Sequence, residues 1–180
     1  HECFEMAVAV FDLADRLQTP VFLASDLDIG MYDWMVPELE WDDTYRPDRG
    51  KVLGPEELEE MERFVRYLDV DGDGIAYRTL PGEDPKGAYF VRGSGHNRYG
   101  AYTEDSDEYQ DIMDRLLVKW ETAKTMVPDA VLSKARRKTS LGILAFGSSD
   151  GAVIEARDRL EAEGVHADYL RIRAFPFSAE

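Results

Sequence analysis

The sequence contains one cysteine, Cys3, and three scattered histidines, His1, His96 and His166. One thiol excludes an internal disulfide framework. It also excludes an iron–sulfur cluster held by cysteines of this chain alone, which takes four thiolates. No apolar run nears the roughly 18 residues of a membrane span. Positive charge is scarce: 21 Lys+Arg stand against 37 Asp+Glu, a formal net charge of −16. A surface of that sign repels phosphate backbones and anionic lipid, so neither a nucleic-acid nor a membrane partner is expected. No secretory leader pattern opens the chain, which suggests a cytoplasmic location. His1 replaces an initiator Met and lies already in helical pattern, so a piece of a longer polypeptide is expected.

Enough apolar material is present for a core. The 180 residues are 44% hydrophobic, which suits one domain or two small ones. Phe4, Ala7, Val8, Phe11, Ala14 and Leu17 recur at helical spacing, and Thr19-Pro20 stops that helix. Val21-Phe22-Leu23-Ala24 reads as a buried parallel strand. Asp26 and Asp28 follow it, either as functional carboxylates at a strand end or as turn caps and ion-pair partners. Residues 31–54 read as an irregular excursion whose Trp34 and Trp41 suit a partner surface.

Gly54-Pro55-Glu56-Glu57 opens a helix with Leu58, Met61, Phe64, Val65 and Leu68 as its apolar stripe. Residues 78–104 are loop-like. A long helix is expected from Asp105 to Val127, with Tyr109, Ile112, Met113, Leu116, Trp120, Ala123 and Val127 on its apolar face. Residues 128–139, with the basic cluster Lys134, Arg136, Arg137 and Lys138, read as a solvated hinge. From 141 to 175 the pattern is βαβ: an apolar strand, a turn at 147–151, a helix with Ala152, Val153, Ala156 and Leu160 facing the sheet, and a returning strand.

Asp69-Val70-Asp71-Gly72-Asp73-Gly74-Ile75 is the sharpest motif. Carboxylates at loop positions one, three and five, glycine at six and the Ile75 carbonyl at seven match the front half of an EF-hand loop. Leu80 stands at position twelve, where a bidentate Glu is needed. The loop is therefore either a weak Ca2+ or Mg2+ site or an acidic turn, with Arg66 and Arg78 as candidate counter-charges. A second motif joins Arg92, His96 and Asn97 among Gly93, Gly95 and Gly100. It suits recognition of a carboxylate or phosphate, but reads first as a loop clamped to a neighbour by the same hydrogen bonds. The 147–151 turn opens a helix, where anions can bind, but it is not G-x-G-x-x-G and reads as mainly structural.

Several stretches together resemble the α subunit of 2-oxoacid:ferredoxin oxidoreductases, in particular the 2-oxoglutarate type. They are Gln18-Thr19-Pro20, 25–31, 45–53, 69–75 with 77–82, Gly95-His96-Asn97 with Tyr102-Thr103-Glu104, Phe146-Gly147-Ser148, and 173–177. The resemblance implies an α/β fold. Residues 1–53 would end a Rossmann-like thiamine-diphosphate pyrimidine domain and its excursion. Residues 54–138 would be a helical and irregular insertion, and 139–180 the βαβ start of a transketolase-C-terminal-like domain. It implies CoA-dependent oxidative decarboxylation of a 2-oxoacid. Thiamine diphosphate, its Mg2+ and the 4Fe–4S clusters would sit mostly on a β subunit, with electrons leaving to ferredoxin. The family's upstream catalytic motif is absent, so no catalytic residue carries over. The resemblance places Asp26, Asp28, Asp69, Asp71, Asp73, Arg92, His96 and Asn97 near a subunit interface or the active-site mouth. A divalent-cation-binding interaction module without catalysis and a pyruvate-type member of the same superfamily are the alternatives.

Overall fold

A computed structural model describes residues 1–91 and 93–177. Arg92 lies outside the described residues. The fold is mixed α/β, and its contacts divide the chain into two compact units. One comprises residues 1–7, 22–42 and 126–180, and the other 8–21 and 43–125.

In the first unit, β2 (Gly142–Ala145), α5 (Ser149–Ala162) and β3 (Asp168–Arg171) form the expected βαβ, with β2 and β3 parallel. The stretch read as a hinge adds a third strand, β1 (Val131–Ser133), antiparallel to β3, so the sheet order is β1-β3-β2. A three-residue strand is too short to show alternation in sequence; here its partner β3 defines it, with Leu132 opposite Leu170. Tyr169 of β3 and Ala167 just before that strand are buried, and the Tyr169 hydroxyl donates to Asp150 of α5 (2.8 Å). Of the four α5 residues expected on the sheet, Val153 and Leu160 are half-buried, whereas Ala152 and Ala156 are exposed. Arg157 instead reaches inward, donating to the carbonyls of Ala167 (3.1 Å) and Ser133 (3.1 Å), with its guanidinium 5.9 Å from the Tyr169 ring centre. The run at 21–24 forms no strand, and Phe22 is 89% exposed. Apolar composition supplies no ladder where no second backbone pairs with it. Trp34 and Trp41 are more than half exposed, as the excursion suggested. Trp34 donates to the Asp28 carbonyl (3.1 Å), and Trp41 meets the Phe4 ring edge-on.

The second unit is built on the later turns of α1 (Glu2–Leu17), on α3 (Pro55–Glu60) and on α4 (Ser106–Ala123). α1 ends where Gln18 takes a positive φ of 49° before Thr19-Pro20. The Lys119 ammonium closes that end, donating to the carbonyls of Leu17 (3.0 Å) and Gln18 (3.5 Å) and to the Thr19 hydroxyl (3.1 Å). α3 stops well short of the expected stripe: Met61 leaves the helix at ψ 139°. Its last turn holds Glu59 and Glu60 and no basic residue, the wrong sign for the negative end of the dipole. Phe64 is buried from an irregular segment instead, packing with Leu53, Leu58 and Tyr77. α4 is capped by Asp105, whose carboxylate accepts from the Asp107 and Glu108 amides. It ends at Ala123 rather than 127, and of its expected apolar face Ile112 and Ala123 are buried while Tyr109 and Trp120 are exposed.

Candidate functional site

The acidic loop of the second unit is shaped by glycine. Gly72 and Gly74 hold φ of 81° and 78°. At Gly74 a Cβ would lie 2.2 Å from the Lys119 amide nitrogen, so the loop seats directly on the α4 backbone. Arg115 of α4 donates to the Gly74 carbonyl (2.7 Å) and Thr122 to the Asp73 carbonyl (2.7 Å). Within the loop, Asp69 accepts from the amides of Gly72 (3.0 Å) and Gly74 (2.8 Å), and Asp73 from that of Ile75 (2.8 Å).

One oxygen from each of Asp69, Asp71 and Asp73 lies within 4.8 Å of the others. A cation from the chain itself is present there. A parallel bridge between Val52 and Arg78, with hydrogen bonds Leu53 to Arg78 and Arg78 to Lys51, carries Lys51 alongside the loop. Its ammonium lies 2.7 Å from both Asp71 oxygens, 2.8 Å from Asp73 Oδ1 and 3.0 Å from the Ile75 carbonyl. Candidate ligand positions three, five and seven thus all face Lys51 Nζ at hydrogen-bond distance. Burial disfavours the Lys51 charge, but the bonds to Asp71 and Asp73 outweigh it and raise its pKa above the usual lysine value. The same contact holds the Asp71 carboxyl below its ordinary value. Neither arginine suspected from sequence is the counter-charge. Arg78 pairs with Asp15 (3.0 Å), and Arg66 lies over the rings of Tyr67 and Tyr89.

The second motif is a tight turn of the same unit. His96 and Tyr102 form an antiparallel bridge, and Gly100 takes φ 79°. The Asn97 side chain is spent inside the turn, accepting from the Tyr99 (3.0 Å) and Ala101 (3.1 Å) amides and donating to Glu108 of α4 (3.2 Å). The His96 ring stacks on Tyr67 with centres 4.1 Å apart. Arg98 forks onto Asp111 of α4. Asn97 and Arg98 thus both tie the turn to α4.

In the first unit Asp26 caps a short helix, α2 (Leu27–Met31), and Asp28 lies in its first turn. Asp26 accepts from the Ile29 amide (2.9 Å) and from the Ser148 amide (2.8 Å), and Asp28 from the Ser148 hydroxyl (3.3 Å). Gly147 has φ 62°, and a Cβ there would lie 2.8 Å from the Asp26 carboxylate. The anion at the start of α5 is therefore a side chain of this chain. Hydrogen bonds from Ile29 and then Ser148 hold the Asp26 carboxyl below its ordinary pKa. Sequence reasoning treated 26–28 and 147–151 separately and passed over Lys51. No local pattern links residues that meet across 122 or 20 positions.

A mixed α/β chain whose acidic loop carries its own lysine counter-charge, and whose helix start is bound by an aspartate, is the class that fold and site define. No family model matches the chain. It is 26% identical, over 98% of its length, to the 2-oxoacid:ferredoxin oxidoreductase subunit alpha of Saccharolobus solfataricus. It is 29% identical, over 98% of its length, to subunit alpha of 2-oxoacid:ferredoxin oxidoreductase 2 of Aeropyrum pernix. Subunit alpha of oxidoreductase 1 from the same organism is 28% identical over 96% of the chain. The chain spans about a quarter of the length of these curated relatives, 27%, 27% and 26%. A solved 2-oxoglutarate:ferredoxin oxidoreductase from Magnetococcus marinus, with 2-oxoglutarate, coenzyme A and succinyl-CoA bound, shares the fold. Its TM-score is 0.56 at 20% identity, covering 64% of this chain and 20% of that one.

Proposed function

We propose that the chain is part of the α subunit of a 2-oxoacid:ferredoxin oxidoreductase that acts on 2-oxoglutarate, with CoA as acyl acceptor. The observation that carries this reading is collinear similarity over 96–98% of the chain to three relatives that bear the same subunit name. The likeness in fold to a 2-oxoglutarate enzyme favours that substrate over pyruvate. In this reading residues 1–53 end a thiamine-pyrimidine-type domain, 54–138 form the insertion and 139–180 begin a transketolase-C-terminal-like domain. A β subunit, ferredoxin, the 2-oxoacid and CoA are the partners.

Thiamine diphosphate would supply the carbanion chemistry in the assembled enzyme. The residues of this chain do not fit the diphosphate's Mg2+. Among the described residues the one convergence of three carboxylates faces the Lys51 ammonium, and a divalent cation on the same oxygens would have to displace it. Asp26 is likewise committed to the Ile29 and Ser148 amides. No catalytic step is assigned to these side chains. Asp26, Asp28, His96 and Asn97 act as positioning residues, ordering the segments that face partner or substrate. No helix among the described residues is long and apolar enough to cross a membrane. Affinity purification of the tagged full-length protein from its native cells tests the assembly. A co-purifying thiamine-diphosphate-containing subunit supports the proposal, and recovery without any partner overturns it.

A further inference from the structure

We propose that a cavity of about 390 Å³ in the second unit, bounded by Arg63, Arg66, Lys86, Tyr89, Phe90 and Tyr99, binds a phosphorylated small molecule with a planar ring, of the mononucleotide class. This site stands apart from the oxidoreductase reading and does not depend on it. Its first mark is unpaired positive charge. Carboxylates outnumber cations 37 to 21 in the chain, and in the same unit Arg16, Arg49, Lys51, Arg78, Arg98 and Lys124 each have an acidic partner, while Arg46, Arg115 and Lys119 are taken up by backbone carbonyls. Among the described residues Arg63, Arg66 and Lys86 have none within ion-pair distance. Glu62 is the one acid on the wall, against three cations. Lys86 donates to the Glu59 carbonyl (3.0 Å), which leaves two of its three protons for a ligand. Arg66 makes only a long contact to the Tyr77 carbonyl (3.5 Å) while packing on the rings of Tyr67 and Tyr89. Arginine forks match phosphate oxygens, and three separate cations match a polyanion better than a single carboxylate.

The second mark is aromatic. Tyr89, Phe90 and Tyr99 are 51%, 84% and 55% exposed at the rim of the same cavity. Flat side chains beside a phosphate site offer a stacking surface for a ring. The volume falls in the range of small-molecule pockets. A smaller cavity in the other unit, about 200 Å³, makes the contrast. Arg136 and His166 on its wall lie beside Glu161, at 3.6 and 3.7 Å, and Arg157 donates to the Ala167 and Ser133 carbonyls, so most of its cations already have partners.

The test is isothermal titration of the full-length protein with ADP at low salt, beside adenosine and inorganic phosphate. Saturable ADP binding is expected, with both fragments weaker. Arg63→Ala with Lys86→Ala, both exposed side chains, should weaken ADP by about tenfold or more, the loss of one to two charge-assisted hydrogen bonds. Phe90→Ala should weaken ADP while leaving phosphate unchanged. Absence of saturable ADP binding at millimolar concentration overturns the proposal. So does ADP affinity unchanged by the double variant, or phosphate binding as tight as ADP.

Discussion

Lys51 Nζ donates to both carboxylate oxygens of Asp71 at 2.7 Å, across 20 residues of sequence. A loop whose spacing suggests a bound ion is thereby neutralised by the protein's own ammonium. With the Asp73 contact at 2.8 Å, the lysine compensates two neighbouring carboxylates that would otherwise repel each other.

The pH dependence follows from the signs. Asp71 is depressed in the folded state, so its contribution is present above the ordinary carboxylate value of about 3.9 and is lost as pH falls through its lower folded value. Lys51 is raised, so its contribution is present below about 10.4 and is lost as pH rises through its higher folded value. Carboxyl-carbon NMR should give an Asp71 midpoint below that of exposed aspartates. A midpoint at or above theirs would contradict the pairing.

Lys51→Met should expose the loop's latent metal chemistry. The variant should lose about 1–2 kcal/mol, a modest figure because the Asp71 side chain is 43% exposed. Hydrogen exchange at the Gly72, Gly74 and Ile75 amides should quicken. Millimolar Ca2+ should restore protection in the variant and leave the natural protein unchanged. Calcium protection of the natural protein alone would reverse this assignment.

The two loop glycines should differ sharply on substitution. Gly72→Ala meets no atom within 4 Å and should cost about 1 kcal/mol for its positive φ. Gly74→Ala drives a Cβ against the Lys119 and Arg115 backbone and should cost more than about 3 kcal/mol, with poor soluble yield. Chemical denaturation of the two variants in parallel measures the gap, and equal losses would mean that the loop does not seat on α4.

Asp26 offers a separate test in the first unit. Asp26→Ala should quicken hydrogen exchange at both the Ile29 and Ser148 amides, and Asp26→Asn should retain only part of the protection, because its amide nitrogen cannot accept. The protection should also fade as pH drops below the ordinary carboxylate range, since the folded-state pKa is depressed. Unchanged exchange at Ser148 in Asp26→Ala would remove the contact from the account.

Local signals in the sequence were legible where they are strong. The start of α4 beside Asp105 and the Gly147 turn into α5 stand where the pattern puts them, whereas the expected apolar face of α4 buries only Ile112 and Ala123. What depends on distant partners was not. Val131 to Ser133 becomes a strand because β3 lies beside it, and Val21 to Ala24 does not, since among the described residues no strand pairs with it. The convergence of carboxylates in the acidic loop was legible, but the lysine that faces them arrives through the Val52–Arg78 bridge. Asp26 likewise gains its meaning from Ser148, which no spacing rule connects to it.

The most direct measurement is a steady-state assay of the full-length protein, purified with its native partner subunit. It follows ferredoxin reduction with 2-oxoglutarate or pyruvate, with and without CoA. The proposed function predicts CoA-dependent reduction that is faster with 2-oxoglutarate. No reduction with either 2-oxoacid, in a complex that retains thiamine diphosphate and its clusters, would contradict it.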